Sequence, residues 1–215
     1  MGETLRAAAS VIAGRDGDRG LEVLVLERGF SSRFLPGYVA FPGGSTDALD
    51  LELARRWFGA PEEAPRACAV RELLEEVGLA LTSEGLAEAN GRTLESLSDS
   101  PPTTGQLPEV AHWVAPPQVP VRFDARFFAV RAPAGLEVVP DGGETADAWW
   151  TRPEALLEEW RTQRRRVFWP TYFTVRAIAP CSDVSRLLSL HIETREPDAG
   201  ELERLPRSTF WQDAT

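Results

Sequence analysis

The segment at residues 65–78 constrains the fold more than any other part of the chain. It reads PRACAVRELLEEVG, with a proline where a helix can begin and a glycine where one can end. Its apolar residues recur at helical spacing, and the buried face predicted from them consists of Ala67, Val70, Leu73, Leu74 and Val77. The segment therefore predicts an amphipathic helix that packs its apolar face against a core.

Strand-like and helix-like patterns alternate along the rest of the chain, without internal repeats. Strands are predicted at residues 5–13, 21–28, 38–44, 120–132 and 147–153. Further helices are predicted at residues 50–58, 153–163, 170–179 and 182–192. This order predicts one α/β or mixed α+β domain over residues 1–215, with an insertion at about 45–61, an irregular connection at about 82–108 and a polar C-terminal tail at about 196–215.

The charged and metal-binding residue types exclude several classes of function. A net charge of −10 argues against nucleic acid or an anionic membrane as a partner. All 23 basic residues are arginines, which excludes a Schiff-base lysine, a Walker lysine and a kinase strand lysine. With two cysteines and two histidines, a zinc site is not expected. Chemistry in this chain must rely on carboxylates, arginines and backbone groups.

Two features absent from the sequence bear on the compartment. No apolar run approaches the roughly 20 residues that span a bilayer. The first residues lack a basic region followed by an apolar core, so secretion is not expected. We therefore expect a cytoplasmic protein.

Three carboxylates on the predicted helix indicate a cation site. Glu72, Glu75 and Glu76 stand at i, i+3 and i+4, so they project from one face and repel one another. A bound cation removes that repulsion, and clustered carboxylate oxygens are ligands that Mg²⁺ or Mn²⁺ prefers. Arg71 could hold one carboxylate in place. The alternative is a solvated acidic helix face with no bound ion.

The sequence from Arg71 to Leu79 resembles a known family motif at every position. It matches R-E-U-x-E-E-x-G-U, where U is apolar, which is the box of the Nudix hydrolases. Glu63, which is separated from the box arginine by seven residues, stands at the position of the family's upstream glutamate. The first glycine of the box then matches Gly44 only across about a dozen extra residues.

The resemblance implies a fold, a reaction and a set of site residues. The Nudix fold is an α/β/α sandwich around a central mixed sheet, and its members cleave the diphosphate of a nucleoside diphosphate linked to another group. By resemblance, a divalent cation, Mg²⁺ or Mn²⁺, would be bound by Glu72, Glu75, Glu76 and the carbonyl of Gly43. Arg71 would orient the glutamates.

A general base is also expected near the attacked phosphorus. Many family members supply a glutamate from a loop before a tryptophan-containing strand, and Glu144 stands six residues before Trp150. Glu144 could equally be a turn residue in PDGGE, and Glu72 or Glu76 could serve as the base instead.

A second segment resembles the signature of the coenzyme A diphosphatase branch. In residues 24–44, Arg28, Arg33, Gly37 and the FPGG run at 41–44 fall in register with it, whereas Val25, Leu26 and Gly29 depart from it. Residues 112–130 resemble the eukaryotic peroxisomal members, which share the insertion in the box. The resemblance implies that substrate is bound by Arg28, Arg33, Phe41 and Gly44. An arginine suits the 3′-phosphate of coenzyme A because it binds phosphate bidentately.

Several alternatives stay open at this point. The same box also occurs in hydrolases of ADP-ribose, NADH or nucleotide sugars. A Nudix-fold module could also bind a nucleotide as a sensor without hydrolysing it. The substrate-facing arginines could instead pair with surface acids. The aromatic pairs at 57–58 and 149–150 could stack on adenine, line a pantetheine channel or belong to the core. A homodimer is a further possibility by resemblance.

Overall fold

The fold is built on a mixed sheet, seen in a computed structural model that describes residues 5–32, 34–115, 122–195, 200, 206 and 209. The strands are β1 (Arg6–Gly17), β2 (Gly20–Arg28), β3 (Tyr38–Ala40), β4 (Gly43–Ser45), β5 (Leu79–Thr82), β6 (Gly85–Glu88), β7 (Glu109–Val114), β8 (Phe123–Arg131), β9 (Thr145–Thr151) and β10 (Arg166–Val167). The helices are α1 (Ala48–Phe58), α2 (Ala64–Val77), α3 (Leu94–Leu97), α4 (Pro153–Arg161), α5 (Trp169–Ile178) and α6 (Val184–Leu188).

Within these residues, eight strands form the main sheet in the order β10-β3-β2-β1-β8-β7. Strand β4 adds to β1 and strand β9 adds to β2, both antiparallel. Strands β1 and β8 run parallel, as do β10 and β3, whereas the remaining pairs of this sheet are antiparallel. The two parallel pairs make the sheet mixed.

The central strands send alternate side chains to opposite faces of the sheet. On β1, Val11 and Ala13 join one apolar cluster and Ile12 joins another. On β2, Leu24 faces the first cluster and Val25 the second. The first cluster is closed by α1 and α2, and the second by α4, α5 and α6. The chain therefore has the predicted α/β/α arrangement.

Helix α2 coincides with the helix predicted at 65–78. It ends at Gly78, whose φ of 66° lies in the left-handed region that favours glycine. Leu74, predicted to be buried, is only partly buried. Two polar side chains, Arg71 and Glu76, are buried instead. The face that α2 turns inward is therefore wider than its apolar stripe, because it includes part of the functional site.

The segment predicted as an insertion at 45–61 is a structured part of the core. It forms the 11-residue helix α1, where only a short helix at 50–58 was predicted. Asp47 caps α1 by accepting hydrogen bonds from the N–H groups of Leu49 and Asp50. Trp57 lies in the first apolar cluster, and its Nε1 donates to Ser98 Oγ at 3.0 Å.

The connection predicted to be irregular at 82–108 contains regular structure. Strands β5 and β6 form a hairpin that begins directly after α2, and α3 follows. The hairpin escapes pattern analysis because β5 has three consecutive buried residues and hence no alternation. Strand β7 was also not predicted, and a register shift between Glu109 and Ala111 disturbs its alternation.

Most of the predicted polar tail at 196–215 lies outside the described residues. Thr209 is described, and it is buried beneath α4, where its Oγ1 accepts a hydrogen bond from Trp160 Nε1 at 3.1 Å. At this point the tail contacts the second apolar cluster. Within the described residues, no helix is long and apolar enough to cross a membrane.

We expect Trp57→Ala to lower the free energy of unfolding by about 3–5 kcal/mol, because it leaves a large cavity in the core. Leu51→Ala is the matched control, since Leu51 lies on the same helix and is 40% exposed. The control should cost less than about 1 kcal/mol. Urea denaturation of both variants measures the difference. Equal losses would mean that α1 is not part of the core.

Candidate active site

A cleft with a cavity volume of about 310 Å³ opens beside α2 and is lined in part by strands β1, β3 and β8. One end, the acidic end, is lined by Arg28, Glu72, Glu76 and Glu144. The other end, the aromatic chamber, is lined by Phe34, Trp113, Phe123, Phe127, Phe168 and Trp169. Phe34 joins the two ends, because its carbonyl accepts a hydrogen bond from Arg28 Nε and its ring contacts Phe123 and Phe168.

Gly43 and Gly44 allow three elements to approach closely at the acidic end. A Cβ on Gly43 would lie 2.3 Å from the carbonyl oxygen of Ala9 on β1. A Cβ on Gly44 would lie 2.1 Å from Glu72 Oε1. Because the Gly43 contact is with backbone, only glycine at that position lets β4 lie this close to β1, whereas a side chain at position 44 would displace the Glu72 carboxylate.

Glu76 is a buried carboxylate at the centre of the acidic end. Its side chain accepts a hydrogen bond from the Gly43 N–H at 2.8 Å and lies 4.0 Å from the Arg28 guanidinium. Burial and the nearby charge of Glu72 raise the pKa of Glu76 to about 8, although the Gly43 N–H opposes the rise. Burial also raises the pKa of Glu72, against the attraction of Arg71. It is therefore unfavourable for both carboxylates to be ionised without a nearby positive charge.

Arg71 is fixed by a buried acid that sequence analysis did not identify. Asp50 of α1 is fully buried and accepts from Arg71 Nε at 2.9 Å and from Nη2 at 3.0 Å. The other guanidinium nitrogen, Nη1, donates to Glu72 and to Glu75, both at 2.8 Å. Burial alone would lower the pKa of Arg71, but the hydrogen bonds that Arg71 donates to Asp50 and the charge of Glu72 outweigh it and raise the pKa.

Asp50, rather than Glu63, corresponds to the upstream glutamate of the Nudix box. Glu63 pairs with Arg66 at 2.9 Å and does not line the cleft. The prediction of Glu63 assumed that the extra residues of the box lie between Gly44 and the upstream acid. They lie instead between the upstream acid and Arg71. Counting forward from Gly44 would have found Asp50, which is separated from that glycine by five residues, as in the family box.

The structure brings some of the other predicted residues together and leaves some apart. Phe41 is buried, contacts Phe127 edge to face at 6.2 Å, and lines the cleft. Glu75 has a side chain that is 48% exposed and does not line the cleft, so the three box glutamates do not converge. Arg33 lies outside the described residues.

Glu144 is held at the mouth of the cleft by its backbone. Its carbonyl accepts from Gly29 N–H at 2.7 Å and from Ser32 Oγ at 3.2 Å, and its N–H donates to Asp141 at 3.1 Å. A Cβ on Gly29 would lie 2.7 Å from the Gly143 carbonyl oxygen. The glycine that departs from the coenzyme A signature is therefore the residue that lets this loop approach.

The aromatic chamber was not predicted, because its residues come from distant strands and loops. The tryptophans considered for stacking lie elsewhere. Arg165 lies 4.6 Å from the ring centroid of Trp149, and Arg15 lies 4.4 Å from that of Trp150. Neither tryptophan, nor Trp57, lines the cleft. No local pattern in the sequence would have distinguished the aromatic residues of the chamber from those of the core.

Comparison with known proteins identifies the family. The family model of the NUDIX domain matches residues 4–170. The chain belongs to the Nudix family. Nudix enzymes act on anhydride bonds in phosphorus-containing compounds and generally use divalent metal cations.

Two individual proteins are similar to this Nudix chain. The crystal structure of a NUDIX hydrolase from Alicyclobacillus acidocaldarius has a TM-score of 0.75 and 29% identity, covering 89% of this chain and 99% of that one. A Caenorhabditis elegans protein named "Putative nudix hydrolase 7" is 28% identical over 168 residues, which make up 72% of this chain and 54% of that protein. The chain thus spans about half the length of this curated relative.

The acidic end suits a divalent cation. Glu72 and Glu76 both line the cleft, and the pKa of each is raised by burial and by other carboxylates. The space beside Glu72 is kept open by Gly44, where a Cβ would meet the carboxylate. Among the described residues, no three His, Cys, Asp or Glu side chains converge into a complete metal cage.

We expect Asp50→Leu to lower the free energy of unfolding by about 3–5 kcal/mol, because it leaves the buried Arg71 guanidinium without its main partner. Asp47→Ala is the matched control. It removes the cap of the same helix without touching Arg71 and should cost about 1 kcal/mol.

The double variant Asp50→Leu/Arg71→Met should lose less stability than the sum of the losses of Asp50→Leu and Arg71→Met, because the two substitutions remove the same interaction. Denaturant titration of the variants measures these differences. Additive losses would contradict a direct interaction between Asp50 and Arg71.

Proposed function

We propose that this Nudix protein hydrolyses the diphosphate bond of coenzyme A or an acyl-coenzyme A. The products would be 3′,5′-ADP and the corresponding 4′-phosphopantetheine. The observation that carries the proposal is the two-part cleft, in which an acidic end continues into a chamber with apolar walls. A diphosphate joined to an uncharged arm matches these two parts better than a diphosphate flanked by two polar sugars.

A divalent cation, Mg²⁺ or Mn²⁺, would be held by Glu72 and Glu76, with the Gly43 carbonyl as a further ligand. When bound, the cation neutralises diphosphate oxygens and lowers the pKa of a water molecule. Arg71 keeps Glu72 in position through its own bond to that carboxylate. Arg28, whose guanidinium is near Glu76, would contact the diphosphate bidentately.

We assign the role of general base to Glu144. Its loop is held on two sides by backbone hydrogen bonds, while its side chain has no ion-pair partner among the described residues. A carboxylate at the mouth of the cleft can accept the proton of an attacking water. Glu76 is less suited to this role, because its carboxylate already accepts from Gly43 and faces the proposed cation.

The test compares hydrolysis of coenzyme A, dephospho-coenzyme A, ADP-ribose and NADH with Mg²⁺ present. We expect kcat/KM to be highest for coenzyme A. Glu144→Gln should lower kcat by about 10²–10⁴-fold, as for loss of a general base. Glu76→Gln should lower it by at least about 10²-fold, because several kcal/mol of stabilisation depend on the cation.

Glu88→Gln is the control variant, because Glu88 is exposed on the β5–β6 hairpin and does not line the cleft. It should retain the activity of the unmodified protein. Higher kcat/KM for ADP-ribose or NADH would replace the proposed substrate with a nucleotide of that class. Absence of turnover for every compound would favour a nucleotide-sensing module.

A further inference from the structure

The aromatic chamber has a charge distribution that distinguishes the two halves of coenzyme A. Of the described residues that line the cleft, the charged ones are all at the acidic end. Five of the chamber rings form a chain of contacts, with centroid distances of 5.2 Å for Phe123–Phe34, 6.0 Å for Phe34–Phe168, 6.3 Å for Phe168–Trp169 and 5.3 Å for Trp169–Trp113. A charged group inside this chamber would lose its hydration without gaining a partner.

We propose that the aromatic chamber binds the pantetheine arm of the substrate, and that the 3′-phosphoadenosine half stays outside it. This inference rests on the proposed function. The pantetheine arm is uncharged, with apolar methyl and methylene groups separated by amides. The adenosine half carries a doubly charged 3′-phosphate, whose burial among aromatic rings would be strongly unfavourable.

A buried hydroxyl in the chamber suits an amide of the pantetheine arm. Thr171 lines the cleft, and only 8% of its surface is exposed. A threonine hydroxyl can donate one hydrogen bond to an acceptor that enters the cleft. An amide carbonyl can accept from it without bringing a charge into the chamber.

The start of helix α5 adds further donors at the same place. The helix is 10 residues long, and no side chain of the described residues caps its N-terminus. Trp169 and Thr171 lie in its first turn and both line the cleft. The first N–H groups of a helix lack intrahelical partners and attract acceptor oxygens. Pro170, the second residue of α5, has no N–H, so the backbone donors of its first three residues are those of Trp169 and Thr171. Together with the Thr171 hydroxyl, they would bind amide carbonyl oxygens in an otherwise apolar site.

Two variants test the inference by changing only the chamber. Thr171→Val removes the hydroxyl at nearly constant volume, and Thr171→Ser restores it. Ala125→Leu fills part of the space, because Ala125 lines the cleft on β8. Ala87→Leu is the matched control, since Ala87 is exposed on β6 and lies outside the cleft.

The readout is calorimetric binding of the two product halves, 4′-phosphopantetheine and 3′,5′-ADP, each with Mg²⁺ present. Thr171→Val should weaken the binding of 4′-phosphopantetheine by about 3–10-fold, which is the usual contribution of one hydrogen bond. Ala125→Leu should weaken it by more than about 10-fold, because overpacking is costly. Thr171→Ser and Ala87→Leu should bind it like the unmodified protein, and 3′,5′-ADP should bind equally to all four variants.

Weaker binding of 3′,5′-ADP instead, or no change for either half, would overturn the inference. Both results would leave the proposed function intact if the unmodified protein hydrolyses coenzyme A. Failure of the unmodified protein to hydrolyse coenzyme A, with turnover of another diphosphate, would overturn the proposed function itself. The two failures are therefore separated by one assay of the unmodified protein.

Discussion

The site depends on one buried guanidinium, that of Arg71. Its nitrogens contact Asp50 on α1 and Glu72 and Glu75 on α2, so a single side chain joins two helices and spaces the box carboxylates. A buried ion pair contributes little net stability, but removing one partner is costly because the other charge is left unsatisfied. This explains why α1 is packed into the core rather than appended to it. Asp50 can only reach Arg71 if α1 stays docked.

The site also requires that backbone segments from different elements lie very close together. Gly43 and Gly44 bring β4 against β1 on one side and the Glu72 carboxylate on the other, and Gly29 brings the Glu144 loop to the cleft. The acidic end is thus assembled from elements that are far apart in the chain. This assembly brings the carboxylates of Glu72 and Glu76 together in a buried place, and their repulsion contributes to the raised pKa of Glu76. A bound cation would offset that repulsion and couple it to substrate binding.

The sequence was most informative where local signals agreed. Periodicity, the proline start and the glycine end predicted α2. Apolar runs separated by a turn predicted β1 and β2, and alternation predicted β8. The α/β/α arrangement was implied by the resemblance to the Nudix family and agrees with the order of these elements. Hairpin β5–β6 and strand β7 were missed, because full burial and a register shift removed the alternation on which strand prediction relies.

The site was predicted less completely than the fold, because its geometry depends on tertiary contacts. Helical spacing placed three glutamates on one face, yet Arg71 holds Glu75 outside the cleft. The partner of Arg71 was sought at Glu63, since the length of the inserted helix hid the spacing from Gly44. The chamber could not be predicted at all, because aromatic residues of a site and of a core have the same composition.

The most direct test is anomalous diffraction from crystals of the protein grown with Mn²⁺. The account predicts a manganese peak bound by the carboxylates of Glu72 and Glu76, with Arg71 still contacting Asp50. A peak at another place, or both carboxylates turned to solvent with no ion between them at saturating Mn²⁺, would contradict it.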